Sequence, residues 1–276
     1  MANRLLEVAG GRKVGVTGFG DPRSLRLVVF CHPTPGGGGF DPDPIVTAAR
    51  GVHLLSFDRP GYGASEPLGE GDHPSFDERA DEIAAFITDS EQSARSIAHT
   101  RFGLIGVVGW QTGGLTALAL AARHPDLVDR VAIVDTPAPP YAPPMLGSLP
   151  FTLDYLGIDP ADPALRRPGL RNRLDRMLDE AGLQGSTGFD TDQASLSEPA
   201  GLKTAQASTK LIYGDDHPLI SPADALWFES HLPNANIVRV QNGRSLSIAT
   251  QWERILEHVA PHPTDAETRA KDESVE

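Results

Sequence analysis

The sequence predicts an α/β fold in which a mostly parallel central sheet is covered by helices, with one helical insertion. Short β-branched runs alternate with helical segments along most of the chain, which is typical of parallel sheets covered on both faces. Residues 103–123 place an apolar strand, a glycine-rich corner and an Ala/Leu-rich helix in direct succession. The alternation is interrupted once, from Pro137 to about Ser208, where proline-rich and then polar segments occur. These observations predict one α/β domain carrying a cap.

The first half of the chain predicts the following elements in order. Residues 75–78 form a capping-box pattern that starts a helix with Ile83, Phe86 and Ile87 on one face. Ahead of that helix we predict a hairpin from residues 5–8 and 13–18, a strand over 25–31, a short helix over 45–50 and a strand over 52–57.

In the second half, a strand over residues 131–134 ends at Asp135 and leads into the insertion. The insertion contains a helical stretch over 170–181 and a polar tail over 185–207 that is predicted to be mobile. A strand over 210–214, a helix over 222–231, a strand over 236–241 and a closing helix over 248–259 follow. The predicted organisation is core over 1–136, cap over 137–208, core over 209–260 and a disordered acidic tail over 261–276.

The corner at residues 109–114 (GWQTGG) has the frame of a nucleophile elbow, whose pattern is G-x-S-x-G. Small residues allow a strained turn that projects one side chain at the mouth of a helix. The projecting residue here is Gln111. An amide is a poor nucleophile that no neighbouring base activates, so the frame is present without its usual reagent.

Three further segments extend this similarity. Residues 32–36 (HPTPG) follow a strand like an H-G-x-P-G oxyanion loop, residues 58–65 (DRPGYGAS) resemble a D-x-P-G-x-G-x-S loop, and residues 213–220 (YGDDHPLI) resemble an acid-bearing loop. Together the four motifs, in this order, resemble the α/β-hydrolase superfamily over most of the chain. Asp58 is expected to brace the oxyanion loop.

The resemblance implies a nucleophile, an acid and a histidine at three positions, and all three are replaced. The nucleophile falls on Gln111, the acid on His217 before Pro218, and the histidine on Ser245. If the loop register slips by one, Asp216 takes the acid position and Arg244 that of the histidine. Neither register restores a triad.

We therefore expect a triad-less member of that superfamily, with non-hydrolytic acid–base chemistry slightly preferred. In this hypothesis His217 passes protons, Ser245 fixes the imidazole tautomer and Gln111 hydrogen-bonds the ligand. Such a site suits cyclisation, elimination or isomerisation of a small, largely apolar carbonyl compound. The amides of Thr34 and Thr112 are expected to form an oxyanion hole, with His32 and Trp110 beside the substrate.

Two alternatives remain open. One is a catalytically inactive protein that binds a small molecule, and the other is an esterase-type hydrolase with a rewired or deliberately mutated site. An enzyme should show His217 and Gln111 facing one closed, ligand-sized cavity, whereas a decayed site should be collapsed or filled by side chains.

Composition excludes several classes of partner. A formal net charge of −13 and a pI of about 5.1 argue against nucleic acid and anionic membranes. The single cysteine, Cys31, excludes an internal disulfide, and neither a signal peptide nor a membrane span is evident, so a cytoplasmic protein is expected. No metal-ligand spacing or nucleotide-binding motif occurs, which predicts no metal and no cofactor. The expected partner is a small molecule, and the sequence leaves the oligomeric state undecided.

Overall fold

The computed structural model describes residues 2–7, 11–69, 71–98, 103–142 and 147–262. Part of the predicted opening hairpin (Val8 and Gly10) and the predicted tail from residue 263 onward lie outside these ranges. Within the described ranges, none of the helices combines the length and the apolar character needed to cross a membrane.

One eight-stranded sheet runs through the centre of the core, in the order β1-β2-β4-β3-β5-β6-β7-β8. The strands from β3 onward are mutually parallel, whereas β2 is antiparallel to both β1 and β4. The two central strands, β3 and β5, are buried along their whole length, as expected for strands covered on both faces. The strands are β1 (Ala2–Glu7), β2 (Lys13–Gly20), β3 (Leu27–Cys31), β4 (His53–Phe57), β5 (Ile105–Trp110), β6 (Val128–Val134), β7 (Ser208–Gly214) and β8 (Ala235–Val240).

Helices cover both faces of this sheet. One apolar cluster joins the sheet to the second, third and sixth helices, and another joins it to the eighth helix and the cap. The helices are α1 (Pro44–Ala49), α2 (Phe76–Ala98), α3 (Gly113–Arg123), α4 (Leu170–Ala181), α5 (Thr187–Ala194), α6 (Pro222–His231), α7 (Ser247–Thr250) and α8 (Trp252–Val259). The predicted closing helix is thus two helices, α7 and α8.

The start of α2 confirms the predicted capping box. The Glu78 amide donates to Ser75 Oγ at 3.2 Å, and the Ser75 amide donates to Glu78 Oε2 at 2.7 Å. On the predicted apolar face, Ile83 and Ile87 are buried and Phe86 packs against the same cluster. The face therefore docks α2 on the sheet.

Between β6 and β7 the described residues form helices, short 3₁₀ turns and loops. The helix α4 has the predicted bounds, and the core holds it through arginines: Arg173 Nε donates to the Asp41 carbonyl at 2.9 Å and Arg176 Nη2 to the Gly39 carbonyl at 3.1 Å. The segment predicted to be mobile contains α5, and Asp192 on α5 is completely buried. The short 3₁₀ turns lie at Pro139–Tyr141, Leu153–Leu156, Pro163–Arg166 and Leu202–Thr204.

Candidate functional site

The elbow between β5 and α3 has the predicted strained geometry. Gln111 has a φ of 48°, a left-handed conformation that is uncommon outside glycine, and its backbone N–H donates to the Val134 carbonyl at 2.8 Å. A Cβ on Gly113 would lie 2.2 Å from the Cys31 carbonyl oxygen, and one on Gly114 would lie 2.0 Å from Thr136 Oγ1. The two glycines are therefore required for the turn to pack against β3 and the loop after β6, and the turn projects Gln111.

The Gln111 side chain binds the cap. Its Nε2 donates to the Leu156 carbonyl at 2.9 Å, and 6 % of the residue is exposed. Ser245 binds the next peptide of the same cap turn, because its Oγ donates to the Gly157 carbonyl at 2.6 Å. The side chains at the predicted nucleophile and histidine positions thus donate to two consecutive cap carbonyls.

The His217 ring is fixed by backbone amides, not by Ser245 as predicted. Its Nδ1 accepts from the Leu219 and Ile220 amides, both at 3.1 Å, so the proton resides on Nε2. Within the described ranges that buried Nε2 has no hydrogen-bond partner. Burial lowers the pKa of His217 to about 4, which contradicts the expected pKa near 6.5. The imidazole is neutral at pH 7.

Burial distinguishes the two loop registers. His217 and Ser245 are buried, whereas Asp216 and Arg244 are exposed, and Arg244 lies 3.4 Å from the cap residue Asp159. The inward-facing residues of these loops are therefore His217 and Ser245.

A small cavity lies beside the elbow under the cap. Its volume is about 40 Å³, room for only a few water molecules and far below the size of an ordinary ligand pocket. None of the lining side chains carries a formal charge. The lining residues are Thr34, Gln111, Thr112, Pro137, Ala142, Tyr155, Gln193, Leu196, Leu219 and Ile220.

The cavity brings together Gln111, Thr34 and Thr112 from the predicted site residues. His217 and Ser245 do not line it, so among the described residues His217 and Gln111 do not face one ligand-sized cavity, as was expected of an enzyme. Thr112 Oγ1 donates to Thr34 Oγ1 at 2.7 Å, which ties the elbow to the oxyanion loop. Whether the two amides form an oxyanion hole stays a prediction.

His32 and Trp110 lie in the core rather than at the cavity. His32 is completely buried; its Nδ1 pairs with the Pro33 carbonyl at 2.9 Å, and its Nε2 accepts from the Arg59 amide at 3.3 Å. Burial lowers the pKa of His32 below its ordinary value, with the charge of Arg59 acting in the same direction. Trp110 stacks on Phe40 with ring centroids 5.5 Å apart. Both rings support the loops that carry the site.

Asp58 binds the glycine run that directly follows the predicted oxyanion loop, so its bracing role stays a prediction. Its Oδ1 accepts from the Gly38 amide at 2.6 Å and its Oδ2 from the Ala64 amide at 2.9 Å. A Cβ on Gly38 would lie 3.1 Å from this carboxylate, which explains why the loop is rich in glycine there. Burial raises the pKa of Asp58, partly offset by the two amides.

Asp192 was missed by sequence reasoning, because an isolated aspartate in a polar segment carries no signal. Its Oδ2 accepts from Thr34 Oγ1 at 2.5 Å and Tyr62 Oη at 2.8 Å, and lies 2.6 Å from Arg59 Nη2. Its Oδ1 lies 2.6 Å from Arg79 Nη1. Burial alone would raise the pKa of Asp192, but the two guanidinium groups and the Thr34 hydroxyl outweigh it and lower that pKa. The carboxylate is therefore charged throughout the ordinary pH range.

Asp135, directly after β6, is a second buried carboxyl that sequence reasoning left without a role. It has a φ of 47° and its Oδ1 accepts from the Gly214 amide at 2.9 Å. Burial raises the pKa of Asp135 to about 7, partly offset by the Gly214 amide and the Ser247 hydroxyl. It joins β6 to β7 beneath the site.

Across the described ranges, no group of three or more His, Cys, Asp or Glu side chains could hold a metal ion. The polar groups at the elbow cavity are hydroxyls and amides, which can hydrogen-bond a small molecule.

Comparison with known proteins places this geometry in a family context. A family model described as the alpha/beta hydrolase fold matches residues 26–163, half of the chain. A pimeloyl-[acyl-carrier protein] methyl ester esterase from Chromobacterium violaceum is 44 % identical over 86 residues, which is 31 % of this chain and 26 % of the esterase. The chain thus matches only about a quarter of that relative's length.

Several solved structures superpose on nearly the whole length of this chain. An alpha/beta hydrolase fold protein from Nakamurella multipartita superposes with a TM-score of 0.64 at 20 % identity and covers 98 % of both chains. A hydrolase from Pseudomonas aeruginosa gives a TM-score of 0.71 at 14 % identity, covering 92 % of this chain and 97 % of that one. The enol-lactonase from Burkholderia xenovorans gives a TM-score of 0.64 at 15 % identity, covering 99 % of this chain and 100 % of that one. At these identities the likeness concerns the fold, and together with the family match it shows that the chain belongs to the α/β-hydrolase family.

Proposed function

We propose that this protein is a non-hydrolytic member of its family that binds a small, largely apolar carbonyl compound beneath the cap. The observation that carries the proposal is that the side chains at two of the predicted triad positions contact the cap. Gln111 holds the Leu156 carbonyl and Ser245 holds the Gly157 carbonyl, so neither side chain is poised for attack. The elbow presents a hydrogen-bonding group where a hydrolase presents a nucleophile.

His217 and Ser245 do not form a substitute nucleophile and base. Ser245 could act only with a base, and the Nδ1 of His217 is already an acceptor for two backbone amides. The lowered pKa of His217 also makes its imidazole a weak base. Hydrolysis through a His217–Ser245 dyad is therefore disfavoured.

The same contacts weigh against the acid–base chemistry that the sequence favoured. A proton shuttle at neutral pH needs a pKa near 7 and an accessible acceptor nitrogen, and His217 has neither. Binding without chemistry, the first alternative drawn from the sequence, fits these hydrogen bonds better.

The cavity supports a ligand with an apolar body and one carbonyl. Its walls come from Pro137, Leu196 and Ile220, while Gln111 and the Thr112 hydroxyl supply neutral polar contacts. A ligand would take the hydrogen bond from Gln111 Nε2 that the Leu156 carbonyl takes now. Because the closed cavity measures about 40 Å³, entry requires the cap turn at Leu153–Leu156 or α5 to move.

Family membership supports hydrolysis as the second candidate. The matched relative is a methyl ester esterase, and the neighbours in fold include a hydrolase and a lactonase. In this alternative the cap opens, and a water or serine attacks an ester at the elbow.

Calorimetric titration with 2-pentanone and with methyl butanoate tests the proposal. We expect saturable binding of both to the wild type and no release of butanoate. Gln111→Leu removes the donor and should weaken binding at least tenfold, whereas Gln206→Leu, on an exposed residue remote from the cavity, should leave it unchanged. Absence of binding would identify a decayed site, and release of butanoate would identify an esterase.

A further inference from the structure

The cap inserts one carboxylate into a set of donors that belongs entirely to the core. Asp192 on α5 is completely buried and receives contacts of 2.5 to 2.8 Å from two arginines, a tyrosine and a threonine. Paired guanidinium groups with hydroxyl donors are the groups with which proteins recognise carboxylates. The core donors are Thr34, Arg59, Tyr62 and Arg79.

These donors exceed what one carboxylate uses. Within the described ranges, Nε of Arg59 and all three guanidinium nitrogens of Arg79 have no hydrogen-bond acceptor, although the two residues are only 5 % and 2 % exposed. Arg79 therefore contacts Asp192 as an ion pair without a hydrogen bond. Both arginines line an adjoining cavity of about 20 Å³, room for a water molecule. Asp58 and Glu82 line this cavity too, but Asp58 accepts from backbone amides and Glu82 pairs with Arg12.

The carboxylate lies one hydroxyl away from the elbow cavity. Thr34 Oγ1 donates to Asp192 and accepts from Thr112 Oγ1, and both threonines line that cavity. Gln193, the next residue of α5, lines it as well. The helix that closes the cavity is therefore the helix that delivers Asp192.

Opening the cap at α5 would withdraw the carboxylate from two buried guanidinium groups. Buried charges that lose their partner are strongly destabilised, so such opening is favourable only if another anion takes the vacated place. A ligand that enters beside Thr34 and Thr112 is in position to supply that anion.

We propose that Arg59, Arg79, Tyr62 and Thr34 form a carboxylate-binding site, which Asp192 of the cap occupies until a carboxylic acid ligand displaces it. This deepens the proposed function and rests on it for the carbonyl contact at Gln111. The ligand class is then an oxo acid: its carboxylate replaces that of Asp192, and its carbonyl accepts from Gln111 Nε2. Asp192 acts as an internal competitor of the ligand.

Three matched probes test this proposal on the full chain: 4-oxopentanoate, its methyl ester, and pentanoate. We expect 4-oxopentanoate to bind the wild type at least tenfold more tightly than the methyl ester. Hydrogen exchange of the α5 amides should rise on addition of the acid and not with chloride at equal ionic strength, because the acid displaces Asp192. An ester that binds as tightly as the acid, or α5 amides that do not respond, would overturn the proposal.

Removing the internal competitor provides the second test. Asp192→Asn and Asp192→Ala should each bind 4-oxopentanoate at least tenfold more tightly than the wild type, while Asp190→Asn, on an exposed residue of the same helix, should not. Equal affinity in the wild type and the Asp192 variants would refute displacement. Should neither variant fold, the comparison of acid and ester on the wild type still decides the matter.

The probe set also separates this proposal from the proposed function. If carbonyl recognition fails, pentanoate and 4-oxopentanoate bind alike while acid is still preferred over ester. If the carboxylate site fails, the oxo group still improves binding while acid and ester bind alike.

Discussion

At the scale of single residues, the side chains at the three predicted triad positions all contact backbone groups. Gln111 and Ser245 each donate to a carbonyl of the cap, and His217 accepts from two amides of its own loop. Each contact satisfies a backbone group, and a backbone group left buried without a partner costs about 1–3 kcal/mol. Gln111 and Ser245 therefore stabilise the docked cap, and His217 stabilises its own loop.

His217 should make stability depend on pH in the acidic range. Its pKa is about 4 in the folded chain and near 6.5 when unfolded, so the folded state favours the neutral ring. The free energy of unfolding should hold above pH 6.5 and fall as the pH drops toward 4, by up to roughly 3 kcal/mol at 1.36 kcal/mol per pKa unit. His217→Asn keeps an acceptor for the Leu219 and Ile220 amides but has no imidazole to titrate. Urea unfolding at pH 7 and pH 4.5 should therefore show a smaller loss of the free energy of unfolding in this variant than in the wild type. Equal pH dependence in both proteins would show that the imidazole is not held neutral.

Asp135 should act in the opposite sense at higher pH. The pKa of Asp135 is about 7 in the folded chain and near 3.9 when unfolded, so the folded state favours the protonated carboxyl. Its contribution to the free energy of unfolding is therefore full below pH 4 and is lost as the pH rises through 7. Asp135→Asn can still accept from the Gly214 amide and should be more stable than the wild type at pH 8, by roughly 2–4 kcal/mol, but not at pH 4. Urea unfolding at the two pH values measures the difference, and a variant less stable than the wild type at pH 8 would contradict it.

At the scale of elements, the strand–helix framework follows from local sequence, whereas the cap contacts do not. The bounds of α4 and α6 follow from helical periodicity and from Pro222, and the elbow follows from the glycines that its close packing requires. The buried α5 was not predictable, because Asp192 is stabilised by arginines more than a hundred residues away in the chain. A long-range ion pair leaves no periodic pattern.

The candidate site was predictable to a similar extent. Motif order predicted site roles for Gln111, Thr34 and Thr112, and these three residues line one cavity beside the elbow. The partners of Gln111 and Ser245 are backbone carbonyls, which every residue carries, so sequence could not reveal them. The low pKa of His217 arises from burial by the folded chain, which a motif does not encode.

Docking of the cap turn should depend on Gly157. This residue has a φ of 65°, and a Cβ there would lie 3.0 Å from Pro218 Cγ and 3.1 Å from the Leu219 side chain. Gly157→Ala should lower the free energy of unfolding by about 1–3 kcal/mol and speed hydrogen exchange over residues 153–158. Gly185→Ala is the matched control, because Gly185 has a φ of 73° but nothing within 4 Å. A similar loss in both variants would show that backbone conformation alone accounts for the effect.

At the scale of the whole molecule, the core keeps the family's architecture while the cap closes the place where chemistry would occur. Contacts that hold the cap are spread along it: carbonyls of residues 39 and 41 bind α4, Arg59 and Arg79 bind α5, and Gln111 binds the turn at Leu153–Leu156. Separate contacts of this kind favour a cooperative opening, since releasing one leaves the others in place. Ligand entry should therefore be limited by cap motion.

The most direct test of a non-hydrolytic site is intact-protein mass spectrometry after incubation with a fluorophosphonate, paired with assays on p-nitrophenyl acetate and butyrate. We predict no covalent adduct on any serine and no ester turnover above the buffer rate, because the elbow carries an amide and Ser245 donates to the Gly157 carbonyl. A stoichiometric adduct on a serine, together with turnover, would contradict the central claim and identify the protein as a working esterase.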